Sequence, residues 1–193
     1  MIEPKILIGT PMPSNWQIDL RGAGWCFREV NFGVGWEWVA EAVGDTDDNK
    51  NIITQRFLKG DFTHLFFMNN DTWLPPNSIN KLLLHDKDIV GVLTPMYHGS
   101  RGWMGQKEKD KYLTIHDCPK ELFPAVRAGG PGMLIKRKII EAMEWPYWEK
   151  KVLEDGTQQS EDYLFCDRAI ELGFEVWIDP TFRCIHMHIS NML

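Results

Sequence analysis

Asn69, Asn70 and Asp71 follow one another directly after the apolar run Leu65-Phe66-Phe67-Met68, and all three side chains carry oxygen acceptors. A continuous apolar run of this length reads as a strand buried on both faces of a sheet. A carboxylate placed just past such a strand lies at the carboxyl edge, where open α/β sheets bind ligands. The other reading is a polar turn, since Pro75-Pro76 break the chain soon afterwards. Glu161 and Asp162 come directly after Ser160, a good N-cap. Acids in that first turn complement the helix dipole, and they would also aim charge at whatever lies beyond the helix start. His186 and His188 share a face if residues 181–188 are extended. Gly129-Gly130-Pro131-Gly132 is too short and rigid for a P-loop, and no Lys-Ser or Lys-Thr follows it. It is either a tight turn into a strand or a backbone wall where side chains must be absent.

These groups need a scaffold, and the hydrophobic pattern supplies one. Lys5 to Ile8 reads as a first buried strand, and Gly9-Thr10-Pro11 permits close backbone approach to a ligand. A poorly periodic helix is expected between Asn15 and Val30, and a second strand over Gly33 to Val43. The acidic turn Gly44 to Asn49 can cap a helix from about Lys50 to Lys59, with Ile52, Ile53, Phe57 and Leu58 inward and Gly60 as its stop. After the central strand come a helix over Pro76 to His85 and a buried strand over Asp88 to Leu93. Strands alternating with helices this far imply right-handed crossovers and a mostly parallel sheet. Beyond Tyr97 the pattern loosens. A short strand at Tyr112 to His116, a helix at Lys136 to Met143 and an aromatic loop at Trp145 to Trp148 precede the helix over Ser160 to Leu172. Two terminal strands, Glu175 to Ile178 and Thr181 to Ile185, complete the α/β pattern.

The 193 residues allow one domain with a full core. A net charge of -6 argues against a broad phosphate-backbone footprint, so a nucleic-acid partner would need a local patch. No window approaches about 18 consecutive apolar residues, so no membrane span is expected. The start lacks a signal-peptide core. Cys26, Cys118, Cys166 and Cys184 show no CxxC spacing and read as reduced thiols of a cytoplasmic protein. Nine tryptophans are many for this length. Trp16, Trp25, Trp36, Trp38, Trp73 and Trp103 lie near loop-like sequence and could wall a ligand cleft.

Four pieces in order, covering nearly the whole chain, carry a resemblance. They are Ile6 to Pro11, Phe57 to Pro76, Gly129 to Ile135, and Ser160 to Cys166. Together they resemble small single-domain GT-A-type glycosyltransferases, the compact forms of phages, viruses and bacteria. The resemblance implies a Rossmann-like nucleotide-diphospho-sugar transferase fold, with residues 1–95 as the nucleotide half and 96–193 as the acceptor and catalytic half. It implies a UDP- or GDP-sugar donor, Mn2+ or Mg2+, and a glycan or other hydroxyl acceptor. Such enzymes usually carry Asp-x-Asp where this chain has Asn69-Asn70-Asp71, so one carboxylate is replaced by an uncharged amide. Asp71, Asn69 and a late histidine, His186 ahead of His188, are then the expected metal ligands. Asn69, Asn70, Thr10, Pro11, Arg56 and Gly130 are expected against the nucleotide sugar, although a solvated helix face is the commoner place for a residue like Arg56. Asp162, with Glu161 in reserve, is the expected general base. A carboxylate base implies inversion at the anomeric carbon, but retaining enzymes of the fold carry similar acids and the outcome stays open. Alternatives are a nucleotidyltransferase, a non-catalytic nucleotide-sugar or glycan binder, and a phage enzyme that glycosylates DNA bases.

Overall fold

The computed structural model describes residues 3–12, 34–96 and 102–186. The first half contains β1 (Lys5–Pro11), β2 (Gly35–Glu41), α1 (Thr46–Lys59), β3 (His64–Phe67), β4 (Thr72–Trp73), α2 (Ser78–Leu84) and β5 (Ile89–Leu93). The second half begins with strands β6 (Gly102–Glu108), β7 (Lys111–Thr114), β8 (Phe123–Ala125), β9 (Arg127–Ala128) and β10 (Met133–Lys136). It continues through α3 (Arg137–Ala142), β11 (Lys151–Val152), β12 (Gln158–Gln159), α4 (Glu161–Glu171), β13 (Val176–Arg183) and β14 (Ile185–His186). Among the described residues, one seven-stranded sheet runs in the order β2-β1-β3-β10-β5-β13-β8. β1 is parallel to β2 and β3, and β5 is parallel to β13. β10 enters antiparallel between β3 and β5, so these two are not neighbours.

Alternation along the buried strands divides the core between the two faces of the sheet. Leu7, Leu65, Phe67, Ile89 and Ile135 pack with Ile53 and Phe57 of α1, Ile139 and Ile140 of α3, and Phe165 of α4. Ile6, Ile8, Phe66, Val90 and Leu134 pack on the other side with Ile79 and Leu82 of α2. Because both faces are covered, these strands lack polar positions, which is why their sequences read as unbroken apolar runs.

α1 starts at Thr46, earlier than its pattern suggests, with Asp45 and Asp48 forming a reciprocal capping box. Its other end is closed by Arg137, whose guanidinium donates to the carbonyls of Leu58 (2.8 Å), Gly60 (2.9 Å) and Phe62 (3.1 Å). The expected aromatic loop exposes Trp145 but sends Trp148 into the core. Trp148 is fully buried, stacks on Phe165 at 4.0 Å between centroids, and donates its indole N–H to Thr54 Oγ1 at 2.9 Å. The two expected terminal strands are instead one strand, β13, with an irregular register between Asp179 and Arg183. Pro180 lies at that irregularity, where a missing N–H is tolerated. The helix expected between Asn15 and Val30, together with Trp16, Trp25, Cys26 and His188, lies outside the described residues. Cys118 and Cys166 are free thiols. No described helix is long and apolar enough to cross a membrane.

Candidate active site at the carboxyl edge of the sheet

β3 stops at Phe67, and the chain then turns, with Thr72 N–H donating to the Asn69 carbonyl at 3.4 Å. Asn69 and Asp71 are therefore not two alternating residues of one strand, and strand geometry does not set their directions. What positions Asp71 is a two-stranded pairing of β4 with β14, which sets His186 opposite Thr72. His186 Nε2 lies 3.3 Å from Asp71 Oδ2, and its Nδ1 lies 3.0 Å from the Pro95 carbonyl oxygen. Both partners are acceptors. A neutral imidazole has one N–H and can donate to only one of them, whereas an imidazolium, or a neutral ring with a cation beside Nε2, suits both. Burial works against its charge, but the bonds to Asp71 and Pro95 outweigh that and hold its pKa above the ordinary value.

A second cluster forms where α4 begins. Glu161 and Asp162 do occupy the first helical turn, as a dipole argument requires, but both are also buried against a lysine. Lys50 of α1 is 1% exposed, donates to Glu161 Oε1 at 3.0 Å and to Asp162 Oδ1, and lies 4.8 Å from the Trp148 ring. The remaining oxygen, Asp162 Oδ2, accepts the Gly130 N–H at 2.8 Å. Burial pushes the Asp162 carboxyl up to about 6, against the pull of Lys50 and with the push of Glu161. Burial also opposes charge on Glu161, yet Lys50 holds it below the usual range. Lys50 loses solvation, but its two carboxylates more than compensate and its pKa is raised.

The glycine turn joins the two clusters. Gly130 binds Asp162, Thr94 Oγ1 donates to the Pro131 carbonyl at 3.2 Å, and Gly132 N–H donates to the Phe67 carbonyl at 2.8 Å. Pro95, next to Thr94, accepts from His186. Asp71 and Asp162 therefore flank one turn on the same edge of the sheet. Gly132 has φ +76°, a backbone region that favours glycine, and Val92 fills the space its side chain would need. At Gly130 a Cβ would lie 2.5 Å from Asp162 Oδ1 and 2.6 Å from Lys50 Nζ. Gly130→Ala is thus expected to cost roughly 1–3 kcal/mol of stability, read from the denaturant midpoint.

Thr10 and Pro11 end β1 on this same edge. Thr10 is buried, and its hydroxyl accepts the indole N–H of Trp38 at 3.0 Å. Arg56 is not brought to the site. It is exposed in the last turn of α1, next to the start of β3 and hence at the opposite edge. Asn69 Oδ1 is buried with no hydrogen-bond partner among the described residues. No cluster of three His, Cys, Asp or Glu side chains suited to a metal occurs among the described residues. The expected three-ligand set is reduced to a carboxylate and an imidazole in contact, with an unsatisfied amide oxygen at the head of the same turn. Lys50 was missed from the sequence. Its signal was a lysine on the face that carries Ile53, Thr54 and Phe57.

No protein-family model matches the chain, and no curated protein matches it. Solved structures do. A197 from STIV aligns with TM-score 0.64 and 15% identity over 96% of this chain and 86% of its own. GalNAc-T7, crystallised with UDP, GalNAc and Mn2+, aligns with TM-score 0.61 and 11% identity over 96% of this chain, which spans 44% of that one. The inositol-1-phosphate CTP transferase from T. maritima aligns with TM-score 0.54 and 8% identity, over 96% of this chain and 90% of its own. At these identities the likeness is one of fold. The chain has a GT-A-type α/β fold, shared with glycosyltransferases and with a nucleotidyltransferase.

Proposed function

We propose that the protein transfers a sugar from a nucleotide diphosphate donor to an acceptor hydroxyl, as a single domain with its nucleotide half before residue 96. The observation that carries this is His186, fixed by Pro95 and aimed at Asp71, in a chain whose fold resembles that of GalNAc-T7, crystallised with UDP, GalNAc and Mn2+. A metal-ligating histidine is typically oriented in this way, through a hydrogen bond from its other nitrogen to a backbone carbonyl. Asp71 and His186 would hold Mn2+ or Mg2+, with Asn69 and the donor's diphosphate oxygens completing the set. The cation, when bound, neutralises charge on the departing nucleoside diphosphate.

The residues of the chain supply the rest. Asp162 takes the proton of the acceptor hydroxyl as that oxygen bonds to the anomeric carbon. The bond from that carbon to the diphosphate breaks, and the nucleoside diphosphate leaves with the electron pair. A carboxylate offers about four lone-pair directions, and Lys50 and Gly130 use two of them, leaving capacity for the hydroxyl. A base with a pKa of about 6 is ionised at neutral pH and still basic enough to accept a proton. Transfer is expected to slow as pH falls below that value.

Release of UDP or GDP from UDP-glucose, UDP-galactose, UDP-GalNAc and GDP-mannose, with and without Mn2+, is the test. Mn2+-dependent release that Asp71→Ala abolishes, together with nucleotide binding, supports a transferase. Nucleotide binding without release in any donor and acceptor mixture would leave a binding domain instead. The likeness to the CTP transferase keeps nucleotidyl transfer as a second reading. Its mark is pyrophosphate release from a nucleoside triphosphate and a sugar phosphate.

A further inference from the structure

A cavity of about 280 Å³ opens on the other side of the first turn of α4, between the β6-β7-β9 sheet and the β11-β12 hairpin. We infer that it binds a neutral, polyhydroxylated group, one sugar unit of the acceptor. This rests on the transferase reading and names the acceptor class for it. The volume lies near the lower limit of small-molecule pockets, roughly 300–1,000 Å³, and suits a monosaccharide rather than an extended chain.

Charge around its wall is balanced, because Lys109, 3.4 Å from Asp167, offsets the second of the two carboxylates that pair with Arg127. Arg127 is 3% exposed and donates to Asp167 at 2.9 and 2.7 Å and to Asp110 at 2.8 Å. A guanidinium held by two carboxylates offers little to a phosphate or a carboxylate ligand. Hydrogen-bonding capacity, by contrast, is left over. Gln106 is 1% exposed and lines the cavity. Its Oε1 accepts from Arg127 at 3.2 Å and from the Asp110 N–H at 3.0 Å, which fixes the amide orientation. Its Nε2 has no acceptor among the described residues, and it is the group left to face the cavity. Ser160, the N-cap of α4, makes no side-chain capping bond, and its hydroxyl also lines the space. Gln159 gives its Nε2 to Asp167 at 3.0 Å, which leaves its carbonyl oxygen as an acceptor.

Aromatic surface completes the site. Tyr112, 43% exposed, and Tyr163 sit with ring centroids 6.1 Å apart and planes tilted by 42°. Tyrosine combines an apolar ring face, against which sugar C–H groups pack, with a polar tip. Ser160 and Tyr163 flank Asp162 in sequence, so the cavity opens off the same helical turn that carries the proposed base. Amide and hydroxyl donors, aromatic faces and no net charge together match an uncharged saccharide.

The test is saturation-transfer NMR on the full chain with methyl glycosides of glucose, galactose, mannose and GalNAc, and with neutral oligosaccharides, in EDTA and without nucleotide. At least one neutral saccharide is expected to bind, and Tyr112→Ala and Ser160→Ala are each expected to weaken it by roughly tenfold. Both are surface or rim changes, and retained folding is verified by circular dichroism. Absence of binding by every saccharide, binding unchanged in both variants, or preference for sulfated over neutral sugars would overturn the assignment. Mn2+-dependent nucleotide binding at Asp71 is read separately, so loss of either result leaves the other interpretable.

Discussion

Lys50→Met is expected to destabilise the protein by about 3–5 kcal/mol, the usual result of removing one member of a buried ion cluster. Methionine keeps the unbranched stem against Trp148 and Phe67 but removes every N–H donor. Glu161 and Asp162, each less than a tenth exposed, would then face one another without a cation. Urea denaturation at pH 7.5 measures the loss. Adding Glu161→Gln and Asp162→Asn should return part of it, because the unpaired charges cause the penalty and not the missing volume. The penalty should also shrink in acid. Without Lys50 both carboxyls would have raised pKa values when folded, so their destabilising effect appears only as pH rises and they ionise. The intact protein has a milder form of the same dependence. Asp162 moves from an ordinary 3.8 to about 6 on folding, so its stabilising contribution is complete below about pH 4. That contribution fades as pH rises through 6.

Asp162→Asn is expected to reduce sugar transfer by about 10²–10⁴-fold while leaving nucleotide and Mn2+ binding intact. Asparagine cannot accept the acceptor proton, but Lys50 and Glu161 remain as a neutral pair, so the fold should survive. Transfer by the native protein is expected to fall below about pH 6, and this limb should be absent from the residual rate of the variant. Near-normal transfer by Asp162→Asn would mean that another group is the base, or that the acceptor loses its proton to water.

The parts of this molecule that could be read in advance are those encoded locally. The inner residues of β1, β3 and β5 (Ile6 to Ile8, Leu65 to Phe67 and Ile89 to Leu93) form runs without polar side chains because helices cover both faces of the sheet, and such runs need no knowledge of partners. Ser160, Glu161 and Asp162 mark a helix start within a few residues. Lys50 could not be read in the same way, because its two partners lie 111 and 112 residues away. The same holds for β4 and β14, two residues each, which have no strand signature and exist because they pair with one another. Glu175 to Ile178 and Thr181 to Ile185 read as two strands, where the structure keeps one with a shifted register. Arg56 looked suitable for a diphosphate from its position before the central strand. A crossover helix runs back along the sheet, however, so its last turn lies far from the edge where its first turn begins. Lys50 is near the first turn of that helix, and this is the cation the edge received.

The most direct measurement is a crystal structure of the protein with Mn2+ and the nucleoside diphosphate that shifts its melting temperature most. The account predicts anomalous density for Mn2+ bound by Asp71 and His186, with the diphosphate on that ion and His186 still donating to Pro95. Nucleotide bound away from the glycine turn, or a metal that touches neither Asp71 nor His186, would contradict it.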